Sequence, residues 1–211
     1  MWRELGTCNI CDNPIKYQLS DDSGPHVYHL REQIICEKCG ATSRDRIVMW
    51  SLSNCMQMED TLFNIRENKN IRILESHGYR GYPKILDTKF DYFNTIFSTD
   101  PQLKSKKPRN YADFQDLHYD DNYFDFILAS DVFEHVRLAE RGFSEMYRVL
   151  KNAGYFIMTI PFDYSREKTK LRLSIGKEES DDKFIEPPEY HGGQTLVYRN
   201  FGRDIFETLC S

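Results

Sequence analysis

Cysteine stands at positions 8, 11, 36, 39, 55 and 210, and four of the six fall into two pairs of equal spacing, CNIC (Cys8, Cys11) and CEKCG (Cys36, Cys39). Two thiolates on one tight turn grip one edge of a tetrahedral cation, and a second such turn completes the site. In a reducing compartment, pairs of this kind point to metal before disulfide. The expected ion is structural Zn2+, held by four protein ligands with no position open to substrate, so the site shapes the fold or a docking surface. Gly40, just past the last cysteine, lets the backbone fold back beneath the metal. Two other assignments use the same stretch: a redox dithiol pair, or His26 or His29 replacing one cysteine ligand. Cys55 reads as a core residue.

A second set of reactive side chains is spread along residues 75–191. Glu75, Ser76, His77 and Gly78 follow one another in RILESHGYRGYP, and Asp100 follows FNTIFST. Asp113 and Phe114 open DFQDL, Ser130 closes FDFILAS with Asp131 next, His135 stands in EHV, and His191 stands in PPEYHGG. A carboxylate with two acceptor oxygens suits a vicinal diol or an amino group. Asp131, His77, His135 and His191 are the groups able to take a proton from a reacting atom. Plainer readings stand beside these: Asp100 as a cap before Pro101, Asp113 as a loop carboxylate, His135 as the start of a helix. The run KSKKPR (104–109) and the pair Arg44 and Arg46 could meet an anion, but solvated surfaces are the expectation for both.

Placing these groups requires strands and helices in alternation. IRILE (71–75), FNTIF (93–97), FDFILAS (124–130) and YFIMTI (155–160) read as strands, dense in branched and aromatic residues with turn signals around them. LAERGFSEMYRVLK puts Ala139, Phe143, Met146, Tyr147 and Leu150 on one helical face, and NAG at 152–154 ends it with Gly154 as a left-handed cap. SRDRIVMWSLSNCM predicts a helix capped by Ser43, with Ile47, Val48, Leu52 and Cys55 on one face. Between the cysteine pairs, IKYQL and HVYHL predict a hairpin too poor in apolar residues to fold without metal. The expected organisation is a zinc ribbon over 1–42, a linking helix over 43–60 and a main domain over 61–211. That domain is a doubly wound, mainly parallel α/β sheet, whose ligands sit beyond the carboxyl ends of the strands. The charged, turn-rich stretch 163–198 is too long for a simple connection and predicts a lid or substrate loop.

The stretch DFQDLHYDDNYFDFILASDVFEHV (113–136) resembles the Rossmann-like class of S-adenosylmethionine (SAM) dependent methyltransferases. Its frame is D-x-x-D-L-x-aromatic-x-D-x-x-F-D, an apolar strand, then S-D-V-F-E-H-V. EMYRVLKNAGYFIMTIP (145–161) is similar to the family's next helix and strand, with Asn152 and Ala153 in place of the usual proline and first glycine. ICEKCGATSRDRIV resembles the zinc-ribbon start of one branch of these enzymes. The resemblance implies that Glu75 lies near the methionine amino group and that Gly78 lets backbone approach the cofactor. It implies that Asp100 receives the ribose hydroxyls, Asp113 the adenine amino group with Phe114 beside the ring, and that Ser130 and Asp131 face the methionine end. A turn with only Gly78 and Gly81 remains compatible with SAM, which has no phosphate to cradle. The family sheet normally has two further strands after the helix read in RDIFETLC. An open sheet edge would then be covered by the lid or by a partner chain, and a homo-oligomer is one way to do so.

Composition narrows the rest. The chain has 211 residues and a formal net charge of −5, so broad attachment to nucleic acid is not expected. No apolar run approaches the roughly 18 residues of a membrane span, and MWRELGTCNICDN lacks the order of a signal peptide, which predicts a cytoplasmic protein. The leading expectation is a SAM-dependent methyltransferase acting on a small-molecule or glycan-type acceptor. An RNA methyltransferase using its ribbon to bind RNA, and an inactive methyltransferase-like binding protein, are the alternatives.

Overall fold

The computed structural model of the chain describes residues 2–18, 34–98, 101–192 and 195–210. Strands β1 (Trp2–Thr7) and β2 (Pro14–Gln18) pair antiparallel around the first cysteine turn. HVYHL, His26, His29 and Asp100 lie outside the described residues. Helix α1 (Ser43–Cys55) follows the second cysteine turn. Its cap is Thr42, not Ser43: Thr42 and Asp45 bond reciprocally, side chain to backbone, in a capping box. Val48, Met49 and Leu52 form the buried face, whereas Ile47 is 52% exposed, one position off the predicted stripe.

Four parallel strands make the central sheet: β3 (Arg72–Ser76), β4 (Asp91–Thr95), β5 (Phe124–Ser130) and β6 (Leu150–Thr159), in the order β4-β3-β5-β6. Helix α2 (Tyr82–Lys89) crosses from β3 to β4, and the short α3 (Pro101–Lys106) follows β4. Helix α4 (Ala139–Val149) crosses from β5 to β6. The outer strands of this order are β4 and β6, and β6 pairs only with β5 among the described residues.

Both faces of the sheet are covered, so its strands are apolar on both sides. Ile73, Tyr92, Phe126 and Leu128 join one buried cluster with Val48, Leu52 and Leu86. The alternate residues Leu74, Phe93, Ile127 and Ala129 join a second with Phe133, Met146 and Val149. The first cluster also contains Cys8, Ile10, Cys11, Ile15, Cys36 and Ala41. The cysteine module is thus packed into the core of the sheet.

Two details of the helix after β5 depart from expectation. Tyr147 is 85% exposed, and Gly142 and Val149 complete the buried face in its place. The left-handed residue of the NAG turn is Ala153 (φ 62°), while Gly154 is required by closeness, since a Cβ there would stand 2.9 Å from the Asp125 carbonyl. KSKKPR is also more than a solvated loop. It begins inside α3, Lys107 pairs with Asp116, and the Arg109 guanidinium lies 3.7 Å from the centre of the Phe93 ring.

After β6 the described residues form six two-residue strands: β7 (Lys170–Leu171), β8 (Leu173–Ser174), β9 (Lys183–Phe184), β10 (Tyr190–His191), β11 (Thr195–Leu196) and β12 (Arg199–Asn200). They pair β7 with β12, β8 with β9 and β10 with β11, and helix α5 (Ile205–Cys210) follows. Arg137 anchors this segment, donating from Nε and Nη2 to the two Asp182 oxygens, each at 2.7 Å, and from Nη2 to the carbonyls of Gly176 and Glu178. No helix among the described residues is long and apolar enough to cross a membrane.

Candidate functional site

The two cysteine turns are built alike. Cys8 N–H donates to the Asn13 carbonyl and Asp12 N–H to the Cys8 carbonyl. In the second turn Cys36 N–H donates to Ala41 and Gly40 N–H to Cys36. The residue after each second cysteine is left-handed, Asp12 at φ 59° and Gly40 at φ 69°, a conformation open to aspartate as well as glycine. The turns bring Cys11 Sγ within 3.5 Å of Cys36 Sγ and Cys8 Sγ within 3.9 Å of Cys39 Sγ, and all four sulfurs lie within 4.8 Å of one another. The Cys39 thiol beside it pulls Cys8 down to about 5. Four converging sulfurs, three of them on buried cysteines, are the donor set of a structural Zn2+ site, and these residues fit that ion.

The cysteine module touches the turn after β3. Gly81 N–H donates to the Cys39 carbonyl at 2.9 Å, and Arg80 pairs with the buried Asp45 of α1 at 2.9 Å. Within the turn, His77 (φ 58°) donates its N–H to the Thr95 carbonyl. The Asn94 side chain clasps Gly78, accepting its N–H at 2.8 Å and donating to its carbonyl at 2.7 Å.

Glu75 supports this turn from beneath. It is 1% exposed, and the hydroxyls of Tyr82 and Tyr92 donate to its two oxygens. Burial pushes its carboxyl up to about 7 against the pull of those hydrogen bonds. A Cβ on Gly78 would stand 2.5 Å from the Tyr92 hydroxyl and 2.6 Å from Glu75 Oε2, so Gly78 lets the turn close over the buried carboxylate. Glu75, expected beside a ligand amino group, is a core residue here because two tyrosines satisfy it.

Ser130 and Asp131 leave β5 opposite Thr159, the last residue of β6. Asp131 (φ 52°) accepts from the Thr159 hydroxyl at 2.9 Å and from Arg44 Nη1 at 2.6 Å. Arg44 also donates to the Tyr79 hydroxyl at 3.3 Å. Arg46 donates to the carbonyls of Ile34 and Ala41 and to Ser43 Oγ. Neither arginine is the solvated side chain expected of it.

Asp113 lies beside β4, whose line is extended by the bridge between Ile96 and Tyr111. Its Oδ1 accepts from the N–H and side chain of Gln115, an Asx turn that fixes the carboxylate, and among the described residues its Oδ2 accepts no hydrogen bond. Phe114 is packed in the core, tilted against Phe133 at 6.0 Å. His135 and His191, far apart in sequence, meet edge to face with ring centres 5.0 Å apart.

Residues 90–158 match the family model of a methyltransferase domain. The matched segment, about a third of the chain, is similar to a methyltransferase domain. The S-adenosylmethionine-dependent methyltransferase of Mesorhizobium loti is 14% identical, with a TM-score of 0.45 over 77% of this chain and 79% of that one. The YcgJ protein of Bacillus subtilis is 17% identical, with a TM-score of 0.36 over 47% of each chain. The chain spans about half the length of the first solved structures it matches. No curated protein matches it.

Ser76–Gly78, Asp113, Ser130 and Asp131 all fall where β3, β4 and β5 end, the crevice in which open α/β sheets bind ligands. The residues suit SAM by donor chemistry. Asp113 offers an acceptor oxygen fixed by its turn, and Arg44 offers a cation at the strand ends. Sequence reasoning missed Tyr82, Tyr92 and Asn94, and it weighed Arg44 as an anion contact but expected a solvated helix face.

Proposed function

We propose that the chain is a methyltransferase that moves a methyl group from SAM to a small-molecule or glycan-type acceptor. The observation that carries the reading is the Asx-fixed Asp113 at the strand ends of the segment matched by the methyltransferase family. Asp113 would hold the adenine amino group, Arg44 the methionine carboxylate, and Ser130 the methionine amino group. Glu75 acts as a positioning residue, holding the Ser76–Gly78 turn through Tyr82, Tyr92 and Gly78.

When bound, SAM supplies an electrophilic methyl on a sulfonium whose leaving group is already activated. The protein then has to orient the acceptor in line and, where the acceptor is a hydroxyl, accept its proton. The Asp131 oxygens are already engaged by Arg44 and the Thr159 hydroxyl. The Glu134–His135–His191 cluster directly after β5 is the better place for that proton to go. The segment 163–198, pinned through Arg137–Asp182, brings His191 to the site and acts as the substrate loop. The formal net charge of −5 supports a small acceptor over RNA.

Calorimetric titration of zinc-loaded protein with SAM and with S-adenosylhomocysteine tests the reading. Micromolar binding weakened at least tenfold by Asp113→Ala is the expected result. A folded protein that binds neither compound would overturn the enzyme reading in favour of a methyltransferase-like binding protein.

A further inference from the structure

Glu134, His135 and His191 have a geometry beyond that of a proton relay. Glu134 and His135 occupy the 3-10 turn after β5 (Phe133–His135), and His191 reaches them from β10. Glu134 Oε1 lies 3.6 Å from His135 Nε2 and 3.7 Å from His191 Nδ1. The three ligand atoms lie within 4.8 Å of one another.

The outer nitrogen of each imidazole is also engaged. His135 Nδ1 lies 2.7 Å from the Leu196 carbonyl, and His191 Nε2 lies 3.3 Å from Glu189 Oε1. Carbonyl and carboxylate oxygens only accept, so the protons sit on those outer nitrogens. The inner nitrogens, His135 Nε2 and His191 Nδ1, then present lone pairs toward the Glu134 oxygen. Metal-binding histidines are oriented in this way, with the remote N–H held by a carbonyl or a carboxylate.

We propose that Glu134 Oε1, His135 Nε2 and His191 Nδ1 bind a divalent transition cation such as Zn2+, Mn2+ or Co2+. Bonds of about 2.1 Å at the tetrahedral angle would set ligand atoms about 3.4 Å apart, close to the separations of 3.6 and 3.7 Å here. Two imidazoles and a carboxylate suit borderline cations, in contrast to the all-sulfur module. The scaffold is fixed by Tyr198 N–H donating to the Glu134 carbonyl at 2.8 Å and by the Arg137–Asp182 pair. Three protein ligands leave coordination positions open, as in catalytic metal sites. The substrate class this favours is an acceptor with oxygen donors, whose hydroxyl the cation would acidify; with the cation bound both inner nitrogens are taken, so the cluster then acts through the cation and the proton leaves to solvent. That last point rests on the methyltransferase reading, whereas metal binding does not.

The test is Co2+ titration of protein whose four-cysteine site is already filled with zinc. Co2+ held by nitrogen and oxygen gives visible d–d bands without a thiolate charge-transfer band, and elemental analysis counts the metals. The expected result is one Co2+ per chain in addition to retained zinc. His191→Ala, at a half-exposed position, should abolish cobalt uptake while keeping the zinc and the circular dichroism of the wild type. Glu189→Gln, which leaves all three ligands in place, should weaken uptake about tenfold or more. No second equivalent in the wild type, or undiminished uptake by His191→Ala, would overturn the assignment. Cobalt uptake without SAM binding would sink the methyltransferase reading and leave the metal site standing, and the reverse pattern would do the opposite.

Discussion

The amide of Gly81 donates to the carbonyl of Cys39 at 2.9 Å, and a Cβ on Gly81 would stand 2.5 Å from that same oxygen. The cysteine module and the turn after the first sheet strand therefore meet backbone to backbone. Gly81 has ordinary helical dihedrals (φ −89°), so its lack of a side chain serves this contact and not backbone freedom.

Gly81→Ala isolates that contact. The methyl cannot fit without moving the Cys39 carbonyl, and overpacking of this kind typically costs about 1–3 kcal/mol. The thermal midpoint should fall, and a chromogenic chelator should extract zinc faster than from the wild type. Because the turn and the module share one core, stripping the zinc should itself lower the midpoint and weaken SAM binding. Unchanged zinc release in Gly81→Ala would mean the two parts are mechanically independent.

The buried Glu75 gives stability a pH dependence of definite sign. Its carboxyl is raised from an ordinary value of 4.5 to about 7 in the folded protein. A raised carboxyl favours folding fully below its unfolded pKa, and that contribution is lost as pH rises through the folded pKa. The loss should therefore run between about pH 4.5 and pH 7, amounting to about 3 kcal/mol as an order of magnitude. Denaturant unfolding of the wild type and Glu75→Gln from pH 5 to pH 8 checks it. The variant should gain on the wild type as pH rises, because an amide does not titrate. A stability difference independent of pH across that window would contradict the burial-driven shift.

What sequence could reveal tracks how local each cause is. The C-x-x-C turns were legible because ligand spacing and turn geometry lie within six residues, and FDFILAS was legible because a strand buried on both faces is apolar throughout. The choice of Thr42 over Ser43 as cap hangs on Asp45 standing three residues after Thr42, a finer signal than residue type alone. Ala153 takes the left-handed position beside a glycine because a Cβ on Gly154 would stand 2.9 Å from the Asp125 carbonyl, a closeness between strands that neighbouring residues cannot announce. Glu75 carries the motif position of a ligand contact, yet Tyr82 and Tyr92 decide its environment from the next helix and strand. His135 and His191 each read as a lone candidate base, because their edge-to-face contact depends on how the segment after β6 folds back.

Arg44 and Asp131 offer a separation of stability from ligand binding. Their side chains are only 10% and 13% exposed, and Nη1 lies 2.6 Å from Oδ2, so removing one partner strands the other charge at the strand ends. Breaking such a pair costs about 3 kcal/mol, whereas replacing both partners with neutral groups of similar shape is often close to neutral. Arg44→Ala should therefore be strongly destabilised. The double variant Arg44→Met, Asp131→Asn should recover most of that loss, since asparagine accepts the left-handed backbone at this position (φ 52°). If Arg44 holds the methionine carboxylate, the double variant should be stable and still bind SAM at least tenfold more weakly. Its affinity for adenosine, which lacks the methionine tail, should stay within about twofold of the wild type. Denaturant midpoints and calorimetric titrations on the same four proteins, wild type, two single variants and the double, distinguish the roles. Full SAM affinity in the stable double variant would reduce Arg44 to a strut between helix α1 and strand β5.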